Sequence, residues 1–296
     1  MIRCALHIYP GYEQPGAALA QALGCPTYPL HIHIFPDGES LIRTEGRAKT
    51  ALLYASLDRP NDKLINLIFA AEALRENGAE RIVLVCPYLG YMRQDKAFHI
   101  GEAVSQPIMA GLLSQYFDRI ITVDPHLHRV SSLNAVFPNI EADALSATGL
   151  IASAIRGDTD LNDGILIGPD SESAQWVGAI AKITGQGMLV AQKMRSGDRE
   201  VKISFPAIEG VSGRPAIIID DMISSGTTAR HCAALLVEAG ASRVELIAVH
   251  ALCDEADLLR LSVAGIEHVR SCDSVPHDTN AIILAPLLAA ALTKEL

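Results

Sequence analysis

Short apolar runs alternate with longer amphipathic stretches along most of the chain. Residues 51–55, 81–86, 119–123, 164–167 and 216–219 are too short for helices, and most are rich in β-branched side chains. They read as buried strands. Between them lie helical patterns, such as Leu64 to Leu74, and a stretch beginning near Ala229 with Ala233, Leu236 and Val237 on one face. Strand and helix in alternation predict an α/β fold, with mainly parallel sheets flanked by helices. A weak internal repeat adds a domain count. Leu74-Arg-Glu-Asn-Gly78-Ala79-Glu80-Arg81-Ile82 is echoed by Leu236-Val-Glu-Ala-Gly240-Ala241-Ser242-Arg243-Val244. Each copy ends a helix at a glycine, as a C-cap does, and opens a strand on a basic residue. Two similar domains follow, residues 1–143 and 144–296.

The polar residues that interrupt this pattern sit where strands end. After Ala216 to Ile219 come Asp220 and Asp221, then Ser224-Ser225-Gly226-Thr227-Thr228, then a helix. A strand feeding a Ser/Gly/Thr loop into a helix N-terminus is an anion cradle. Two acids beside it would repel a bare phosphate, so the ligand also carries hydroxyls or a magnesium ion. The first copy has Ala55-Ser56-Leu57-Asp58 at this station, so it has lost the cradle.

Other strand ends are polar too. Phe35-Pro-Asp37-Gly38-Glu39 has turn chemistry. Cys86-Pro87-Tyr88-Leu89-Gly90-Tyr91-Met92-Arg93-Gln94-Asp95-Lys96 is a rigid loop with phosphate-binding charge, at the strand end where α/β folds bind ligands. Asp124 and His126 follow the strand at 119–123; strand alternation puts both on one side, where they can share a metal or a metal-bound phosphate. Asp170 follows the strand at 164–167 and opens a helix carrying Trp176 and Val177. Lys193 and Arg195 lie on a charged, glycine-bearing stretch that reads as mobile and exposed.

The 296 residues carry a formal net charge of −10, which argues against a nucleic-acid surface. Six scattered cysteines, without a C-x-x-C pair, read as thiols in a reducing compartment. The start lacks a signal-peptide h-region, and the apolar tract from Ala281 to Leu292 is too short to span a bilayer. The expectation is a cytoplasmic protein with no membrane partner.

The segment from Asp220 to Thr228 resembles the phosphoribosyl-pyrophosphate (PRPP) loop of type I phosphoribosyltransferases and PRPP synthetases. The order of F-x-D-G-E, P-Y-x-x-x-R-Q-D-K, D-x-H, P-D, K-x-R and D-D-M-x-S-S-G-T-T resembles ribose-phosphate pyrophosphokinase (PRPP synthetase) over nearly the whole chain. That resemblance implies two tandem type I phosphoribosyltransferase-like domains. It implies transfer of the β,γ-diphosphoryl group of ATP to the C1 hydroxyl of ribose 5-phosphate, giving PRPP and AMP, with Mg2+ as cofactor. Phe35, Asp37 and Glu39 would bind adenine from a neighbouring subunit, and Arg93, Gln94 and Asp95 the nucleotide. His126 would stand at the metal–phosphate end, and Asp170 at a second metal or the ribose. Lys193, Arg195 and His126 would be the catalytic groups. Asp220 and Asp221 would take the ribose hydroxyls, and Ser224, Ser225, Gly226, Thr227 and Thr228 the 5-phosphate. The family forms homo-oligomers built from dimers. Ser224 stands where many family members have Asp, which leaves the subclass open. Two other readings compete: a transferase that consumes PRPP, which needs no R-Q-D-K loop, and a silent synthetase-associated regulatory protein, which needs none of the metal or flap residues.

Overall fold

The computed structural model describes residues 2–127, 129–130, 132–196 and 200–296; the side chains of 193–196 and 200–203 lie outside the description. Two compact units emerge. The first begins with β1 (Ile2–Ile8), α1 (Glu13–Leu23), β2 (Thr27–Pro29), β3 (His31–Ile34) and β4 (Ser40–Arg43). It continues with β5 (Ala48–Tyr54), α2 (Pro60–Glu76), β6 (Arg81–Val85), α3 (Ser105–Leu113), β7 (Arg119–Val123), α4 (Leu133–Val136) and β8 (Glu141–Leu145). Its sheet has the order β2-β1-β5-β6-β7-β8, and every pairing is parallel. β3 and β4 form a separate antiparallel hairpin.

The second unit contains α5 (Thr148–Arg156), β9 (Ile165–Gly168), α6 (Ala174–Thr184), β10 (Met188–Val190), β11 (Gln192–Ser196) and β12 (Glu200–Ser204). Then come β13 (Pro215–Ile223), α7 (Thr227–Glu238), β14 (Arg243–Ala251), α8 (Glu255–Val263), β15 (His268–Cys272) and β16 (Asn280–Ile282). The order β10-β9-β13-β14-β15-β16 is again all parallel, with β11–β12 an antiparallel hairpin. The repeat seen in nine residues of sequence therefore extends through six strands and a hairpin inserted at the same station. Even the helix ends match. Ala79 N–H donates to Leu74 O at 3.0 Å, and Ala241 N–H to Leu236 O at 3.0 Å, each past a glycine of positive φ.

Apolar strands sandwiched by helices form the cores, because both faces of a parallel sheet are covered. In the second unit Ile167, Ile218, Leu246 and Ala248 meet Cys232, Ala233 and Leu236 of α7. Val237, expected on that face, is exposed. The i, i+3, i+4 stripe through Ala229, Cys232, Ala233 and Leu236 already covers the sheet, and Val237 falls one position beyond it.

The C-terminal segment departs from the expected division at 143/144. Residues 284–296, including α9 (Ala285–Leu292), belong to the first unit, while the second runs from Ala147 to Asp273 and from His277 to Ile283. The cause is a buried ionic clasp. Glu295 accepts from Arg119 Nη1 at 2.9 Å and from Arg81 Nε at 2.9 Å, and the side chains of Arg119 and Glu295 are only 3% and 4% exposed. α9 also packs on α1. The second unit has its own clasp: Glu245, buried, lies between Arg243 and Arg270.

Candidate active site

In the second unit the candidate site starts from β13. The strand does not stop at Ile219 as the apolar run suggested; it continues through both acids to Ile223, pairing Asp220 with Ala248 and Ile223 with Ala251 of β14. Asp221 is buried and Asp220 half-buried. Burial, then the charges of Asp221 and Asp170, push the Asp220 carboxyl well above the usual carboxylate range. A carboxyl that resists ionisation beside other acids invites hydroxyl donors or a divalent cation. Asp221 N–H donates to Asp220 Oδ1 at 3.0 Å, which fixes that carboxylate's orientation.

α7 begins at Thr227, two residues earlier than the apolar pattern suggested, and its N-cap Gly226 has φ +63. A Cβ there would meet Leu261 at 2.8 Å, so both the backbone and the packing call for glycine. Ser225 and Thr227 hydroxyls lie 3.1 Å apart, and Arg230 Nη2 donates to Thr227 Oγ1 at 3.1 Å. Asp220, Met222, Ser224 and Ser225 to Thr228 line one open pocket at this helix N-terminus. Its first-turn N–H groups have no acceptor within the helix.

Asp170 ends β9's connection to α6. Its Oδ1 accepts from the N–H of Glu172 at 3.0 Å and of Ser173 at 3.2 Å, so it shapes the helix entry. It is also close enough to act electrostatically on Asp220. The helix-start reading of Asp170 thus has a hydrogen-bonded footing. Lys193 and Arg195 fall on β11, where Lys193 pairs in register with Ile203 and Arg195 with Val201. Their side chains, and residues 197–199, lie outside the described residues.

In the first unit the polar loops leave β6 and β7, neighbours in the sheet. The β6 loop is tied down along its length. Tyr88 N–H donates to Ser56 Oγ at 2.9 Å, Thr122 Oγ1 to Pro87 O at 3.2 Å, and Gln106 Nε2 to Met92 O at 3.1 Å. Burial pushes the Cys86 thiol up to about 12, so this cysteine is inert packing. Three described non-glycine residues have positive φ, and two of them stand here: Tyr91 at +65 and Asp124 at +37. Such strain persists where the surroundings over-determine a functional conformation. It also corrects one expectation. β7 ends at Val123, and the left-handed turn at Asp124 breaks strand alternation, so alternation does not place His126. His126 is half-buried in the following loop. Arg93 is exposed, and Lys96 Nζ sits 5.2 Å from the Phe98 ring centroid. Asp95 is committed to a partner that the sequence did not suggest, Arg129, at 2.6 Å.

Phe35 to Glu39 form the tip between β3 and β4. Gly38 has φ +91, Phe35 N–H donates to Glu39 O at 2.8 Å, and Glu39 N–H to Asp37 Oδ1 at 3.1 Å. Phe35 is exposed and meets His33 edge-on at 4.7 Å. This hairpin stands at the same station as β11–β12.

The registers also show what stands at this turn in the first unit. Thr50 pairs with Arg81 as Pro215 pairs with Arg243, so five residues on, Ala55 and Ser56 stand where Asp220 and Asp221 do. The turn is filled from within. Lys63 Nζ contacts Asp58 Oδ1 and Tyr12 Oη and donates to Ser56 O at 3.1 Å.

Among the described residues, no three His, Cys, Asp or Glu side chains are placed to cage a metal ion by themselves. Magnesium does not need such a cage; it binds through one or two carboxylates plus substrate phosphates and water. The Asp170–Asp220–Asp221 group suits that mode.

Two parallel-sheet units of one topology, one with an acid pair leading into a hydroxyl-rich helix N-terminus, define a protein of the phosphoribosyltransferase class. The model for the N-terminal domain of ribose phosphate pyrophosphokinase matches residues 11–116, and that for the phosphoribosyl transferase domain residues 139–286. Ribose-phosphate pyrophosphokinases of Methanothermobacter thermautotrophicus and Methanopyrus kandleri are 33% and 32% identical to the chain. Each match covers 94% of this chain and 95% and 94% of those relatives. A solved phosphoribosylpyrophosphate synthetase from Mycobacterium smegmatis superposes with a TM-score of 0.82 at 25% identity, covering 98% of this chain and 97% of that one. The chain belongs to the ribose-phosphate pyrophosphokinase family.

Proposed function

We infer that the protein is a ribose-phosphate diphosphokinase. The observation that carries this reading is the acid pair of β13 feeding an open hydroxyl-rich helix N-terminus, in a chain that matches the family from end to end. The C1 hydroxyl oxygen of ribose 5-phosphate attacks the β-phosphorus of ATP. The bond from that phosphorus to the α,β-bridging oxygen breaks, AMP leaves, and the hydroxyl proton passes to solvent. Such a transfer asks the protein for positioning and charge neutralisation more than for covalent chemistry.

Ser224 to Thr228 and the α7 N-terminus hold the 5-phosphate, while Asp220 and Asp221 accept from the ribose hydroxyls and so relieve the crowding of acids. Arg93 and Gln94 hold the nucleotide, with Asp95 orienting that loop. His126 stands at the phosphate end, and Lys193 and Arg195 neutralise the diphosphoryl group. Asp170 and the β13 acids would hold Mg2+ together with the phosphates; the ion lowers the charge of the transferring group. Phe35, Asp37 and Glu39 serve the adenine of a neighbouring subunit, which makes the active form a homo-oligomer built from dimers. No described helix is long and apolar enough to cross a membrane, and we place the enzyme in the cytoplasm with no nucleic-acid partner. Incubation with ATP, ribose 5-phosphate and Mg2+ should yield AMP and PRPP in equal amounts. ADP as the product, or no turnover, would overturn the reading.

A further inference from the structure

We propose that Arg129 is a further phosphate-contacting residue of the nucleotide site, held in position by the buried carboxylate of Asp95. The proposal rests on the diphosphokinase reading and adds to it a cation that none of the sequence motifs contains.

The two residues come from different loops at one end of neighbouring parallel strands, Asp95 after β6 and Arg129 after β7. Arg129 Nη1 donates to Asp95 Oδ1 at 2.6 Å, a short charge-assisted bond. The pair is lopsided. The Asp95 side chain is 3% exposed and that of Arg129 54%. Some pairs in this unit are matched, Arg119 and Glu295 at 3% and 4% exposed and Arg75 and Asp118 at 34% and 36%, while Arg81 and Glu295 stand at 30% and 4% and Arg119 and Asp143 at 3% and 40%. In those two one-sided pairs the buried member is also paired with a second buried charge, Glu295 with Arg119. Here the carboxylate carries the desolvation cost while the guanidinium stays in solvent. Asp95 Oδ2 is buried and has no hydrogen-bond partner among the described residues. The arrangement is poor as stabilisation and well suited to aiming a cation.

A guanidinium has five N–H donors in a rigid fork, and the bond to Asp95 commits one. The fork is bonded to Asp95, which follows Arg93 and Gln94 in its loop, and it comes three residues after His126, at the loops that would carry the nucleotide phosphates. Planar, bidentate recognition of a phosphate is what such a fork does best. Lys96, by contrast, is drawn over Phe98.

The test is ATP binding by titration calorimetry and the ATP KM, measured on Arg129→Ala, Arg129→Lys, Asp95→Asn and the Asp95→Asn/Arg129→Ala double variant. Arg129→Ala should weaken ATP binding about tenfold or more, with the ribose 5-phosphate KM unchanged, as for a lost charged hydrogen bond. Arg129→Lys should recover only part of this. The double variant decides between the roles. If Arg129 merely neutralises a buried charge, removing that charge cures the defect, and the double variant binds ATP like wild type; that result overturns the proposal. If Arg129 touches phosphate, the double variant stays as weak as Arg129→Ala, and Asp95→Asn adds little once Arg129 is gone. The double variant also guards against misfolding, because it leaves no orphaned carboxylate. A wild-type protein that makes no PRPP defeats the functional reading alone; calorimetry with ATP still decides the role of Arg129.

Discussion

Lys63→Met isolates what it costs the first unit to keep its strand-to-helix turn closed. Lys63 lies 13% exposed against Asp58 at 16%, with its ammonium also on Tyr12 Oη and 4.9 Å from the Tyr12 ring centroid. Methionine keeps the apolar stem and removes the charge. Asp58 would be left mostly buried, with the Tyr12 hydroxyl as its remaining donor. One-sided loss of a buried pair costs about 3–5 kcal/mol, and the retained hydroxyl favours the lower end. At roughly 2–4 °C per kcal/mol for a unit of this size, about 3 kcal/mol lowers Tm by about 6–12 °C. Differential scanning calorimetry at pH 7 reads this directly. Asp58→Asn/Lys63→Met removes both charges and should return to within ~1 kcal/mol of wild type, because the desolvation cost goes with them. A shift under about 2 °C for the single variant, or a double variant less stable than the single one, would refute the reasoning.

Three further outcomes are expected. Asp220→Asn should raise the ribose 5-phosphate KM and cut turnover while making the ligand-free protein more heat-stable. The Asp220 carboxyl is raised in the folded state, so wild type loses stability as pH climbs from the unfolded value of about 3.9 through the raised one. The gain in Tm should therefore vanish below about pH 4 and be full above the raised value, and a gain that instead grows toward low pH would contradict this. Phe35→Ala should raise the ATP KM more than the ribose 5-phosphate KM, and monomers obtained by dilution should lose activity; fully active monomers would remove the neighbouring-subunit role. Lys193→Ala and Arg195→Ala should each lower kcat by roughly 10²–10⁴ with little change in KM, the signature of contacts made in the transition state; an unchanged kcat with a raised ATP KM would mean that they only bind substrate.

Strands were legible because parallel-sheet cores demand unbroken apolar runs, as in Ile82 to Val85 and Ile217 to Ile219. The same rule hid the true length of β13. Asp220 and Asp221 look like a strand's end, yet their backbone stays in the β13 strand, which pairs on to Ile223. Helices were legible by stripe, but with a one-residue error at Val237, since three- and four-residue spacings both fit until the sheet is seen. The hydroxyl-rich loop feeding a helix N-terminus could be read from composition alone, since small hydroxyl residues and a glycine between a strand and an apolar stripe mark that junction. Arg129 was not readable. Nothing local marks it, and its partner Asp95 lies 34 positions away on another loop. The clasp at Glu295 escaped for the same reason, since charged residues near a chain end look solvated until Arg81 and Arg119 are placed beside them.

That clasp sets the order of events during synthesis. β8 ends at Leu145, and Glu295 is 150 residues further on. At ~5–20 residues per second, translation leaves an interval of about 8–30 s in which the first sheet is complete while Arg119 has no Glu295 to meet. The second unit, whose strands are laid down in that interval, is therefore able to close first. A nascent first unit of this kind is a natural client for chaperones, and an expression fragment cut after β8 would inherit the same exposed arginines for good.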